Sequence, residues 1–162
     1  MATLFEEQVK KQRPNWGDEI VLALDPGETT GVAVFKGIKL GEVTQLNTVE
    51  MPKAAVALYN LIVLIKPQVV IVEDYRVYKW KTDQHAWAGL HTPRLIGALE
   101  YILFVLNTPT IKQSAQVGKG FCTDERLKEW GFYTPAKRHA MDAVRHGCQF
   151  LMFGDESWRT PR

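Results

Sequence analysis

Only two cysteines, Cys122 and Cys148, occur among the 162 residues. Neither has a partner at metal-ligand spacing, which excludes a disulfide framework and a thiolate zinc site and leaves both thiols reduced and structural. No stretch approaches the roughly 18 consecutive apolar residues of a membrane span. The strongest candidate, LYNLIVLI, stops at Lys66-Pro67. The opening MATLFEEQVKKQRPNWGDE lacks the basic-then-apolar order of a secretory signal. The expectation is a soluble, cytoplasmic protein with no membrane partner. Strong net charge is missing as well, at +2, and no repeats or low-complexity segments break the chain.

What is present is a composition of 46% hydrophobic and 23% charged residues. At the length of one domain, such a chain can bury a core without disulfide or metal staples. Its charge is unevenly spread: residues 76–145 hold 11 Lys and Arg against 6 Asp and Glu. That excess suits a surface that tolerates polyanions, and equally a solvated mixed-charge face.

Residues 3–12 predict a short helix stopped before Pro14, within an N-terminal extension of residues 1–18. Residues 20–24, 31–35 and 41–46 predict a three-strand antiparallel meander with a turn at Lys36-Gly37. Residues 53–66 place Ala54, Ala57, Leu58, Leu61, Ile62 and Ile65 at helical spacing before Pro67. The β-branched run 69–72 follows that helix and is expected parallel to the first strand. A second helix is expected at 93–106, with Thr92 as N-cap and Pro93 in first position. A short fifth strand at Thr110-Ile111, a brief helix at 124–130 closed by Gly131, and a closing helix at 137–152 complete the pattern. The predicted fold is α/β, with a central mixed five-stranded sheet and helices on both faces. It spans residues 19–154, with a tail at 155–162.

Three acids stand out. Asp25 ends the first strand in LALDPGETTG, and Glu73 ends the fourth in VVIVEDYRV. If those strands are adjacent and parallel, both carboxyls emerge at the carboxyl edge of the sheet, where open α/β sheets place their sites. Side chains alternate along a strand, so only one of Glu73 and Asp74 can face Asp25, and Glu73 is the expected one. In the closing AKRHAMDAVRHGCQF, His139, Asp142 and His146 lie along one helical stripe beside small residues that permit close approach to the sheet. Three carboxylates brought together repel unless a hard cation neutralises them, and oxygen ligands suit Mg²⁺. Two such ions about 3.5–4 Å apart can activate water and stabilise the departing oxygen of a phosphodiester. Each acid alone has a plainer explanation: Asp25 bonding its own turn, Glu73 as a polar strand end, Asp142 in an exposed helix pair with His139.

LDPGETTG, Glu73 at the end of the fourth strand, KQSAQVGKG and HAMDAV resemble, in this order and spacing, the RuvC-like Holliday junction resolvases of the RNase H-like superfamily. The resemblance covers about residues 21–150. It implies an RNase H-like nuclease, a homodimer that binds branched DNA and resolves four-way junctions by paired nicks. Two Mg²⁺ ions per site are implied, with Mn²⁺ able to substitute, in a bacterial cytoplasm or in that of a host if the chain is virus-encoded. Asp25, Glu73 and Asp142 match the metal-binding acids, and His139 matches a position where family members carry Asp or His. Lys112 and Lys119 match basic positions that reach DNA phosphate. Gly118 and Gly120 are expected to free the backbone around Lys119 for close approach. In DYRVYKWK, Tyr75, Tyr78 and Trp80 interleave with Arg76, Lys79 and Lys81, a composition suited to stacking on bases and pairing with phosphates, or to core and dimer contacts. Lys137 and Arg138 complete the candidate DNA-binding set.

Other readings stay open on sequence alone. The same fold serves nucleases of flaps, forks or RNA–DNA hybrids. DPGETTG also resembles the phosphate-binding hairpin of actin-like ATPases, which need two such domains where this chain has room for one. A non-catalytic junction-binding module would keep the basic aromatic loop without metal-dependent turnover.

Overall fold

The computed structural model describes residues 1–75 and 90–160. Its centre is β1 (Ile20–Asp25), where Val21 to Leu24 are all buried because both faces of the strand are covered. The chain enters through α1 (Leu4–Gln12), and β1 leads into β2 (Thr29–Lys36) and β3 (Lys39–Asn47), the expected antiparallel meander. After α2 (Met51–Ile65), β4 (Val69–Asp74) returns parallel to β1. Then come α3 (His91–Val105), β5 (Thr110–Ser114), α4 (Ala115–Phe121), α5 (Asp124–Glu129) and α6 (Arg138–Phe153). The sheet order is β3-β2-β1-β4-β5, with β5 parallel to β4. This is the mixed five-stranded sheet that the sequence pattern predicts. Among the described residues, no helix is long and apolar enough to cross a membrane.

Two cores lie on opposite faces of the sheet. On one, Leu22, Leu24, Val70 and Val72 pack against Leu58 and Ile62 of α2 and Leu95 and Leu99 of α3. On the other, Val21, Ala23, Val69 and Ile71 pack against Met141, Val144 and Cys148 of α6. Residues of α1 enter this second core, where Phe5 and Val9 are fully buried beside Trp130. α6 lies close to the sheet because Gly147 leaves room for the Phe35 ring and Gly31 for the carbonyl of His139.

Two local expectations need correction. Thr92 does not cap α3: the helix already begins at His91, preceded by Leu90 without a side-chain cap, and Pro93 sits inside the first turn, where its missing N–H costs nothing. Around Lys119 the backbone is helical rather than open. AQVGKGF forms α4 despite two glycines, and Gly118 serves packing, since a Cβ there would stand 3.1 Å from the His146 ring.

Candidate active site

Strand alternation and register build one corner of the site. In β1, Val21, Ala23 and Asp25 face α6, and in β4, Val69, Ile71 and Glu73 face the same way. The parallel register pairs Leu24 with Val72, so the next residues, Asp25 and Glu73, are neighbours at the carboxyl edge. Asp74 belongs to the opposite face, where its charge acts on Lys112.

α6 brings the remaining groups. Its N-terminus has no side-chain cap of its own. Gln45 of β3 compensates, its Oε1 accepting from the backbone N–H groups of His139 at 3.0 Å and Ala140 at 3.3 Å. Lys137 reinforces this anchor by donating from Nζ to the Val43 carbonyl at 2.8 Å. The first turn is thereby fixed over the sheet edge. His139 Nδ1 stands 3.4 Å from Asp25 Oδ2, and Asp142, one turn on, is 9% exposed.

The electrostatics of this corner follow from crowding. Burial, then the charges of Glu73 and Asp142, push the Asp25 carboxyl up to about 8, with Lys119 pulling the other way. Glu73 moves oppositely: burial works against it, but the hydrogen bond and charge of His146, with Lys119, bring it below its ordinary value. A proton shared by the pair therefore rests on Asp25. Asp142 is held from two sides, by Arg145 Nη1 at 2.7 Å and Lys119 Nζ at 3.4 Å.

Two residues that composition and motif did not single out as site residues, Arg145 and His146, prove to be in contact with its acids. Arg145 is buried, donates from Nε to the Cys122 carbonyl at 2.9 Å, and pairs with Asp124 as well as Asp142. His146 donates to Glu73 and also meets Gln113. The signals were their spacings of three and four from Asp142, but such spacings also describe ordinary helix pairs.

The candidate DNA-binding residues separate. Lys119 lies at the acids, whereas Lys112 sits on the α3 side of β5 and pairs with Glu100. Arg138 lines a cleft of about 580 Å³ together with Lys119, Tyr133, Met141, Asp142 and Arg145. Lys137 is exposed beside it, anchored to β3. Tyr75 is exposed just beyond β4. Arg76, Tyr78, Lys79, Trp80 and Lys81 lie outside the described residues.

The turn after β1 does not present the Thr30 hydroxyl to a phosphate. Thr30 and Thr48 are fully buried, their hydroxyls 2.8 Å apart, and Thr48 donates to the Gly27 carbonyl at 2.5 Å. The hairpin is closed on itself. One of the two threonine hydroxyls of the ATPase-like reading is therefore turned inward.

A divalent cation fits the donor set in chemistry, because Asp25, Glu73 and Asp142 supply hard oxygens whose mutual repulsion is expressed in the raised Asp25. Among the described residues, no three His, Cys, Asp or Glu groups are already gathered around a common point. Arg145 and Lys119 account for this at Asp142, whose two oxygens they engage.

No family model matches the sequence, and no curated protein matches it. Solved structures do. RuvC of T. thermophilus in complex with a Holliday junction substrate superposes with a TM-score of 0.66 at 16% identity, covering 83% of this chain and 93% of that one. The yeast mitochondrial Holliday junction resolvase Ydc2 gives 0.58 at 15% identity, covering 92% and 83%. Fowlpox virus resolvase with substrate Holliday junction DNA gives 0.58 at 14% identity, covering 82% and 96%. The chain thus has the RNase H-like fold of these resolvases.

Proposed function

We propose that the chain is a structure-selective DNA endonuclease that resolves four-way junctions by metal-dependent phosphodiester hydrolysis. The observation that carries this reading is the pairing of Asp25 and Glu73 at the ends of two adjacent parallel strands, with His139 of α6 3.4 Å from Asp25 and Asp142 near enough for its charge to raise that carboxyl. Fold supports it: T. thermophilus RuvC and fowlpox virus resolvase, which share the architecture, were solved with Holliday junction DNA.

Asp25, Glu73 and Asp142, with His139, are the residues to hold two Mg²⁺ ions, or Mn²⁺ in their place. Those ions, when bound, supply Lewis acidity that lowers the pKa of water and stabilises the departing oxygen. The chain's own groups do the rest. Asp25 must release its proton to act as a ligand, and His139 at 3.4 Å is placed to carry it away. Lys119, half-exposed beside Asp142, offers its ammonium to a DNA phosphate. Arg138 extends that positive surface along the adjoining cleft. Paired nicks in a two-fold junction require two such sites, so the working form is a homodimer.

The test uses a synthetic four-way junction, a fork, a flap and an RNA–DNA hybrid, each with and without Mg²⁺. The expected result is paired cleavage of the junction, with Asp25→Asn still binding it but not cutting. Preferential cleavage of the fork, flap or hybrid would reassign the substrate. Cleavage by Asp25→Asn at the parent's rate would reject the site.

A further inference from the structure

His146 is 1% exposed, deep on α6, and both ring nitrogens are engaged. Nε2 lies 2.8 Å from Glu73 Oε2, and Nδ1 lies 2.8 Å from Oε1 of Gln113 on β5. Gln113 is itself buried and donates from Nε2 to Gln149 Oε1 at 2.9 Å, one turn further along α6. The ring is roofed by α4, where Gly118 leaves just enough space for it. One imidazole thus joins the acid-bearing strand, its neighbour, and the helix that carries Lys119.

The donors and acceptors in this chain are constrained. With the Gln113 carbonyl toward the ring, Nδ1 must donate, and against an ionised Glu73 carboxylate, which can only accept, the contact then needs a proton on Nε2 as well. If the amides of Gln113 and Gln149 turn over together, Gln113 donates to Nδ1 and Gln149 donates to Gln113, and Nε2 again carries the proton. Either way, Nε2–H donates to Glu73 Oε2. That hydrogen bond ties one carboxylate oxygen to a rigid, buried ring, so the Glu73 carboxylate cannot rotate freely.

We infer that His146 is a positioning residue: held by the Gln149–Gln113–His146 chain, it fixes the orientation in which the Glu73 carboxylate meets a divalent cation. Outer partners of this kind commonly change metal affinity or activity by roughly 10–100-fold when removed. The inference rests on the metal-site reading of Asp25, Glu73 and Asp142.

Two substitutions separate positioning from packing. In His146→Gln the side-chain nitrogen can occupy the place of Nε2 and still donate to Glu73. In His146→Asn it can occupy only the place of Nδ1, keeping Gln113 and losing Glu73. Both remove part of the same ring, so a purely structural role predicts similar melting temperatures and similar metal binding. The readout is Mn²⁺ binding to the DNA-free protein, by titration calorimetry or by the electron spin resonance of free Mn²⁺, beside Asp25→Asn. We expect His146→Asn to weaken binding roughly 10–100-fold and His146→Gln to retain most of it. Equal losses in the two variants, or none in His146→Asn, would overturn the inference while leaving the metal site in place. No loss in Asp25→Asn would overturn the metal site and the inference with it. If His146→Asn does not fold, the unaltered protein still decides. Its ¹H–¹⁵N spectrum must show a protected proton on Nε2 of His146, and a ring protonated on Nδ1 alone rejects the proposal.

Discussion

Gly31 of β2 lies directly against the backbone carbonyl of His139, so close that even a methyl group on Gly31 would overlap it. The same glycine is the cross-strand partner of Asp25. One position therefore sets the distance between the first turn of α6 and the acid at the end of β1. Gly31→Ala should push that turn off the sheet and carry His139 and Asp142 away from Asp25. Overpacking of this kind costs about 1–3 kcal/mol, and a misplacement near 1 Å costs on the order of 100-fold in rate. Gly147→Ala meets the Phe35 ring instead, farther along α6, and should cost comparable stability with a smaller loss of junction cleavage. Urea denaturation and cleavage rates of the two variants make the comparison. Equal rates would remove Gly31 from the account of the site.

Phe5 lies outside the sheet in sequence but inside its core in space. Its ring centroid is 4.8 Å from that of Trp130 and 5.4 Å from that of Phe132. Phe5→Ala should cost about 3–5 kcal/mol, seen as a lower urea midpoint with an unchanged slope. A cost within the range of a surface substitution, about 0.5 kcal/mol, would mean that α1 is only laid against the domain.

Much of the sheet was legible because its signals are local. Five apolar residues before Asp25, the β-branched run before Glu73, and the helix between them imply adjacent parallel strands, and period-two alternation then selects Glu73 over Asp74. α4 was not legible: AQVGKGF carries two glycines, poor helix formers by about 1 kcal/mol each, and it folds as a helix because His146 and α6 lie beneath it. Lys112 reads as a partner of Lys119 in sequence, yet in β5 it pairs with Val72 and faces α3. Arg145 and His146 gain their roles from Asp124, Gln113 and Glu73, residues distant in sequence that no helical spacing reveals.

Asp25 gives stability a pH dependence whose sign can be stated. Its folded-state pKa is about 8, raised from an ordinary 3.8 by burial and by Glu73 and Asp142. Well below the ordinary 3.8, folded and unfolded chains both hold the proton and nothing is lost. As the pH climbs toward 8 the unfolded chain ionises freely, while the folded one must keep the proton or bear the repulsion, so stability falls. In a chelator, Asp25→Asn should therefore melt near the parent at pH 4 and increasingly above it as the pH approaches 8. Melting curves at four or five pH values suffice, and a constant gap between the two proteins would contradict the raised carboxyl.

Arg145 is the fork that holds Asp142. Nη1 reaches Asp142 at 2.7 Å, Nε reaches the Cys122 carbonyl at 2.9 Å, and Nη2 pairs with Asp124. Asp142 and Arg145 side chains are 12% and 11% exposed, whereas Asp124 is 46% exposed. The arms are therefore unequal. Removing the buried arm leaves a carboxylate short of its main partner, which costs about 3–5 kcal/mol in a fully buried pair. The exposed arm is worth about 0–1 kcal/mol. Arg145→Met should accordingly destabilise the fold far more than Asp124→Asn. Arg145→Lys should fall nearer to Met than to the parent, because one ammonium cannot reach three acceptors in a plane. Denaturant midpoints for the three variants test this order. If Arg145→Lys matched the parent, charge alone would hold Asp142, and the guanidinium geometry would have no part in presenting it.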